Sequence, residues 1–206
     1  MKLLAVRHGV TPWNAQQRWQ GATDIPLADE GRGQALAAAR RLATMGWRGH
    51  RVFCSALSRA RVTADTICAE LRLDQPQVVP QLGERELGDW EGLSVEEVEL
   101  AHPGSIAAWA AGAITGPPGG ETDVTVANRF QQACEVIRGE IVGVMSPILI
   151  VTHAGVLHAV DKVNGFEYSE YGPLSGRWFE LELTSHHTRI VPDGPADLLA
   201  DEVVTR

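Results

Sequence analysis

A chain of 206 residues with a formal net charge of −8, an isoelectric point near 5.3 and no Ser/Gly/Pro-rich linker reads as one enzyme-sized domain able to bury a substantial core. The acidic balance argues against nucleic acid or an anionic membrane as the main partner, since both need a net basic surface. Cys54, Cys68 and Cys134 are odd in number and lack metal-ligand spacing, which predicts free, mostly buried thiols in a reducing compartment, the cytoplasm. Met1 and Lys2 precede a short apolar run, but Arg7 and His8 interrupt it well before a signal-peptide length, so export is not expected. The longest weakly polar run, Ile106 to Ile114, is about half the length needed to cross a bilayer.

In chain order, strand signals fall at Leu3 to Arg7, Val52 to Ser55 and Ile148 to Thr152, separated by segments of helical period. Asp29 to Met45 is Ala-rich and reads as a helix that approaches the sheet closely. Leu57 to Leu71 repeats apolar positions at Ala60, Ala64, Ile67 and Leu71. Between residues 88 and 120 the composition shifts to Ala, Gly, Pro and acid, with short helical patterns at Ser94 to Ala101 and Ser105 to Ala111, an excursion over one end of the sheet. Thr122 to Met145 carries a stripe of Val126, Phe130, Cys134, Ile137, Ile141 and Val144. Arg177 to Thr184 and Thr188 to Pro192 form an antiparallel pair, and residues 193–206 a tail, extended or mobile. The alternation predicts a three-layer α/β/α sandwich with a mostly parallel central sheet and a small helical cap.

Three predicted strand ends carry chemistry: Arg7 and His8, then Ser55 to Arg59, then His153. In open α/β sheets ligands bind beyond the carboxyl ends of the strands, so these side chains converge on one volume. Two guanidiniums and an imidazole suit a phosphate, whose oxygens match the planar Arg donors. Arg59 and Arg61 lie about 200° apart on a helix, so only one faces the site, and Arg59 follows the strand end more closely. His153 and His158 lie about 140° apart on the following helix, which argues against a paired-His metal site and leaves His158 a structural role. His50, His102, His186 and His187 receive no role. Trp13, Trp19 and Trp109 either line the pocket mouth or fill the core; core packing is the reading for all but Trp13, beside Asn14. No residues stand at spacings that require a metal or another cofactor.

The segments Val6-Arg-His-Gly9, Trp13-Asn14, Gln20-Gly21 through Asp24-Ile-Pro-Leu27, Gly31 with Gln34-Ala35, Ser55-Ala-Leu-Ser-Arg-Ala60 with Thr63-Ala64, Leu82-Gly-Glu84 with Gly88-Asp-Trp-Glu-Gly92, Gly119-Gly-Glu-Thr122 and Val151-Thr-His-Ala-Gly155 occur in an order that resembles the histidine phosphatase superfamily, the phosphoglycerate-mutase-like group. The pattern is more similar to its small phosphatases than to the glycolytic mutases. The resemblance implies one domain over residues 1–192, with a cap over about 88–120. It implies that His8 is a nucleophile that becomes transiently phosphorylated, that Arg7, Arg59 and His153 hold the phosphoryl oxygens, and that Glu84 donates a proton to the leaving alkoxide and then activates water. Glu86 and Glu91 lie nearby, so Glu84 rests on motif position alone. Asn14, Gln20, Gly21 and Ala154 match positions that add phosphate contacts. Two residues depart from the pattern: Val10 replaces a usual polar residue, and Ala28 stands where a Ser or Thr usually caps a helix, so Asp29 is expected to take the cap.

The expected reaction is hydrolysis of a phosphomonoester of a small phosphorylated metabolite, without cofactor; the alternatives are phosphoglycerate mutase-type transfer and a non-catalytic phosphate-binding module. A mutase must hold a second anion, yet Glu86 to Asn128 contains no Lys or Arg and many acids. The expected leaving group is therefore neutral or weakly anionic. A homodimer is left open.

Overall fold

The computed structural model describes residues 1–141, 143–167, 169–183 and 188–199. In chain order the elements are β1 (Lys2–Arg7), α1 (Pro12–Ala15), α2 (Asp29–Thr44), β2 (Arg51–Cys54), α3 (Ser58–Leu71), β3 (Gln77–Val78), α4 (Val95–Ala101), α5 (Ser105–Ala110), α6 (Asp123–Glu140), β4 (Ile148–Thr152), α7 (Ala154–Asn164), β5 (Ser175–Leu183) and β6 (Thr188–Asp197). They build one sheet in the order β3-β2-β4-β1-β5-β6. The strands β3, β2, β4 and β1 run parallel, and β5 and β6 add an antiparallel pair.

Strands covered on both faces need apolar residues on both, and β1 supplies them in the unbroken run Leu3, Leu4, Ala5 and Val6, all fully buried. Leu4 and Val6 meet Val52, Cys54, Leu149 and Val151 under α2 and α3, where Ala38, Ala39, Ala60 and Ala64 let the helices approach closely. Leu3 and Ala5 point the other way, to Phe53, Ile148, Ile150 and Phe179, beneath α6 and α7. The three layers expected from the alternation are present. Cys54, Cys68 and Cys134 are free and buried, and burial pushes each thiol up to about 12. Among the described residues no helix is long and apolar enough to cross a membrane.

The excursion between β3 and α6 leaves and returns through one neck. Glu121 donates its N–H to the Glu86 carbonyl at 2.8 Å and Asp89 donates to the Pro118 carbonyl at 3.0 Å. Gly88 sits at φ +54, with the backbone of Pro118, Gly119 and Gly120 where a Cβ would be. Beyond the neck, Leu87, Trp90 and Val98 form a small core of their own with Trp19, Leu93, Ile106 and Trp109.

Several boundaries differ from the sequence reading. The helix expected to reach Met145 stops at Glu140, because Gly139 weakens its last turn and Gly143 takes φ +80, outside the right-handed helix region. The strand expected to stop at Pro192 continues to Asp197, past Pro192 and Pro195. It is an edge strand, where a missing proline N–H does not break an interior ladder. Leu198 is buried against α2 and α3, so the residues after 192 begin as packed structure; residues 200–206 of the expected tail lie outside the described residues, as do Thr184, His186 and His187. Ala28, not Asp29, occupies the N-cap of α2, and no side chain caps that helix. Four-residue α1 and two-residue β3 are too short to show a period.

Candidate active site

Parallel pairing of β1 with β4 aligns Arg7 with Thr152, and the next backbone step places His8 beside His153. The His8 N–H donates to the Thr152 carbonyl at 3.0 Å, and the two imidazoles stand edge to face with centroids 5.1 Å apart. His8 Nδ1 lies 2.7 Å from the Gly9 carbonyl oxygen. A carbonyl only accepts, so Nδ1 carries the proton and Nε2 keeps its lone pair. Arg59 Nε donates to that Nε2 at 3.2 Å.

Arg59 is fully buried near the start of α3, while Arg61 is exposed, as the angular argument required. Its terminal nitrogens donate to the carbonyls of Thr23 at 2.7 Å and Gly21 at 2.8 Å. The Gly21 loop is strapped down by Glu91, whose carboxylate accepts from the Ala22 N–H, the Thr23 hydroxyl and the Leu87 N–H. Glu91 is thus occupied with structure, and Glu86 is exposed; of the nearby acids only Glu84 lines the pocket. Burial, with Arg7 and Arg59 adding repulsion, holds His8 well below the usual imidazole range. Burial and Arg59 do the same to His153, neither of whose ring nitrogens has a hydrogen-bond partner among the described residues. Both rings are neutral near pH 7.

Glu84 accepts from the Arg85 N–H at 2.8 Å and from the Gly155 N–H, in the first turn of α7, at 3.3 Å. Its backbone is held by Arg129 of α6, which donates to the carbonyls of Gln81, Gly83 and Glu84. Glu121 receives that guanidinium on both carboxylate oxygens, at 3.0 and 2.8 Å. Arg7 donates to the Tyr171 carbonyl at 2.8 Å. Thr11 donates to both Asn14 Oδ1 and Gln20 Oε1, fixing the loop after His8. Arg7, His8, Asn14, Gln20, Gly21, Arg59, Glu84 and Ala154 line one cavity of about 290 Å³, with buried His153 against His8. Among the described residues no group of three His, Cys, Asp or Glu side chains could hold a metal ion.

An unprotonated imidazole nitrogen flanked by two guanidiniums, a second imidazole and a carboxyl group is equipped to receive a phosphoryl group. A family model for the histidine phosphatase superfamily (branch 1) matches residues 3–185. The chain belongs to that superfamily. This histidine phosphatase is 35% identical over 211 residues to the glucosyl-3-phosphoglycerate phosphatase of Mycolicibacterium vanbaalenii, covering 97% of this chain and 90% of that one. It is 35% identical over 161 residues to the metal-independent phosphoserine phosphatase of Arabidopsis thaliana, covering 77% and 66%. Among solved structures, a mycobacterial glucosyl-3-phosphoglycerate phosphatase in complex with VO3 is similar with a TM-score of 0.79 and 28% identity, over 94% of this chain and 97% of that one.

The pocket of this histidine phosphatase also holds residues that sequence reasoning set aside. Trp19, Trp109 and His158 line it, whereas Trp13 packs against Gly92. His158 lies against the Tyr171 ring at 5.0 Å. Arg18 and Arg85 line it too, so cationic side chains in the cavity extend beyond those expected to hold the phosphoryl group. The stretch from Glu86 to Asn128 does lack cations, but the fold brings Arg18 and Arg85, both from earlier in the chain, to the same cavity. The signal available was Arg85 itself, immediately after Glu84.

Proposed function

We propose that this histidine phosphatase hydrolyses a phosphomonoester of a small metabolite in two steps through a phosphoryl group on His8. The observation that carries the reading is the Nε2 lone pair of His8, exposed to the cavity by the Nδ1–H bond to Gly9 and touched by Arg59. In the first step Nε2 attacks phosphorus, the ester P–O bond breaks, and the leaving oxygen takes a proton from Glu84. The Arg59 Nε donor passes from Nε2 to a phosphoryl oxygen, joining Arg7 and His153 around the equatorial oxygens, where preorganised donors contribute most to rate. In the second step the Glu84 carboxylate removes a proton from water, which attacks the phosphohistidine and releases phosphate.

Asn14, Gln20, Gly21 and the Ala154 backbone complete the phosphate cradle. The cavity is at the small end of ligand sites, which suits a metabolite rather than a polymer. Three buried free thiols fit a reducing compartment, and the cytoplasm is the location we assign. Turnover of a metabolite ester followed by acid quench tests the mechanism: wild-type protein should carry an acid-labile phosphoryl adduct that His8→Ala lacks together with activity. Undiminished turnover by His8→Ala overturns it. Conversion of 3-phosphoglycerate to its 2-isomer faster than phosphate release would favour the mutase alternative.

A further inference from the structure

The second guanidinium of the site, Arg7, is held differently from Arg59. Arg59 makes three hydrogen bonds. The Arg7 side chain makes one among the described residues, from a terminal nitrogen to the Tyr171 carbonyl at 2.8 Å, and its remaining donors are left to the cavity it lines. The direction of Arg7 therefore rests on where that one carbonyl sits, and the phosphoryl transfer itself gives Tyr171 no task.

The surroundings of Tyr171 hold it from several sides. Antiparallel pairing sets Arg177 of β5 opposite Ala5 of β1, on the sheet face covered by α6 and α7, so its side chain turns toward α7. There its Nε lies 3.0 Å from Asp161 Oδ1, an ion pair whose side chains are 5% and 3% exposed. The same Nε donates to the Tyr171 hydroxyl at 3.0 Å, and that hydroxyl donates to Asp161 Oδ2 at 2.6 Å. Burial and the bond to Asp161 hold the phenol above its usual range, so the proton stays on it. A terminal nitrogen of Arg177 donates to the Glu167 carbonyl and the Ser169 hydroxyl, both at 2.7 Å, tying down the chain ahead of Tyr171. Beyond Tyr171, the Leu174 N–H donates to the Arg7 carbonyl at 3.1 Å. Leu174 is fully buried at φ +55, a left-handed conformation that side chains rarely adopt and that persists only where the surroundings fix it.

We infer that, given the phosphomonoesterase reading above, Asp161, Tyr171 and Arg177 are positioning residues for Arg7: they hold the Tyr171 carbonyl so that the free donors of Arg7 meet the phosphoryl oxygens. Taking Asp161 and Arg177 out of water offsets much of their attraction, so the pair supplies direction more than stability. A preorganised donor accelerates the reaction because its orientation is set beforehand. None of the three is among the residues that line the cavity, so each acts through that carbonyl.

The test is a double-mutant cycle of Tyr171→Phe, which removes only a hydroxyl, with Arg7→Met, read as kcat/KM for p-nitrophenyl phosphate. The leaving group of this ester needs no proton, which keeps Glu84 out of the comparison. With every protein kept below its melting temperature, Tyr171→Phe should lower kcat/KM about tenfold in the wild-type background. In the Arg7→Met background the loss should shrink to about twofold or less, the coupling expected of residues that act as a unit. Should Tyr171→Phe not fold, Ser169→Ala takes its place, with a loss of about threefold that likewise vanishes with Arg7. Activity of Tyr171→Phe within about twofold of wild type, or the same fractional loss in both backgrounds, overturns the inference and leaves Tyr171 a purely structural role. If wild-type protein hydrolyses no phosphate ester, the phosphatase reading falls instead, and calorimetric titration of the same four proteins with inorganic phosphate then decides. Weaker phosphate binding in Tyr171→Phe that disappears once Arg7 is replaced sustains the inference; equal losses, or no phosphate binding by wild-type protein, overturn it.

Discussion

Arg59 touches His8 through Nε, at 3.2 Å, while its two terminal nitrogens are spent on the Thr23 and Gly21 carbonyls. One guanidinium therefore both meets the His8 ring and holds the loop that lines the site. Lysine keeps the charge, but its single nitrogen cannot span three acceptors that Arg59 reaches from three different nitrogens. We expect Arg59→Lys to lower kcat/KM by about 10² to 10³, the usual loss on removing a preorganised donor. It should also lower the melting temperature, since two buried carbonyls lose their donor. Steady-state kinetics with a thermal melt checks both; activity within about threefold of wild type would count against the role of Arg59.

Gly155 offers a selective probe of Glu84. A Cβ on Gly155 would lie 2.5 Å from Glu84 Oε1, and its three nearest atoms all belong to Glu84, so Gly155→Ala must push that carboxyl group aside. If Glu84 protonates the leaving oxygen, kcat for alkyl phosphates should fall by about 10² or more, with far less effect on aryl phosphates, whose leaving groups need no proton. Equal losses on both ester classes would remove Glu84 from that role.

Arg129 acts at one remove. It holds the three carbonyls around Glu84 and is itself gripped by Glu121. We expect Arg129→Met to lower kcat with KM little changed, and with the same bias against alkyl esters as Gly155→Ala. Glu121→Gln should show a weaker form of the same bias, because one charge-assisted bond is worth about 1.5–3 kcal/mol. A loss of stability without that bias would make Arg129 purely structural.

The buried imidazoles set an acid window. His8 and His153 are held well below 6.5 when folded, so the unfolded chain binds protons that the native state does not. Stability is then fully present above about 6.5 and falls as pH drops from there toward the folded values, by about 1.4 kcal/mol per pH unit for each ring. Burial raises the Glu121 and Asp123 carboxyl groups, but bonds to Arg129, Arg85 and Lys162 outweigh it and hold both below their usual values. Their contribution is lost lower, as pH falls below about 4.5. Denaturant titrations between these limits should show the decline, with about half the slope in His153→Gln. A flat profile across the window contradicts neutral burial of the pair.

Much of this was legible in the residues. The run Leu3 to Val6 and the spacing of Val126, Phe130, Cys134 and Ile137 are periodic because each faces a packed sheet, and periodicity survives in a string of letters. The angle between Arg59 and Arg61 let only one face the site, and closeness to the strand end picked Arg59. What the sequence did not disclose depends on closure in space. Arg85 and Arg18 lie outside the cationless stretch, yet the cap folds back over them. Glu91 looked as acidic as Glu84 until its three donors were visible. Trp19 and Trp109 read as core because an indole wall of a pocket and an indole in a core have the same spacing.

The neck at Glu86, Asp89, Pro118 and Glu121 has a further consequence. The His8 and His153 rings are neighbours because β1 and β4 are neighbours, in a register that no cap residue enters. The cap leaves and re-enters the body at that neck, and is tied to it again where Trp19 donates to the Leu93 carbonyl and accepts from the Gly92 N–H, and where Glu91 holds Ala22 and Thr23. The cap and the loop that supplies Arg59's acceptors are therefore coupled through Glu91. A different cap grafted at that neck would have to reproduce the Glu91 contacts to keep Arg59 against His8.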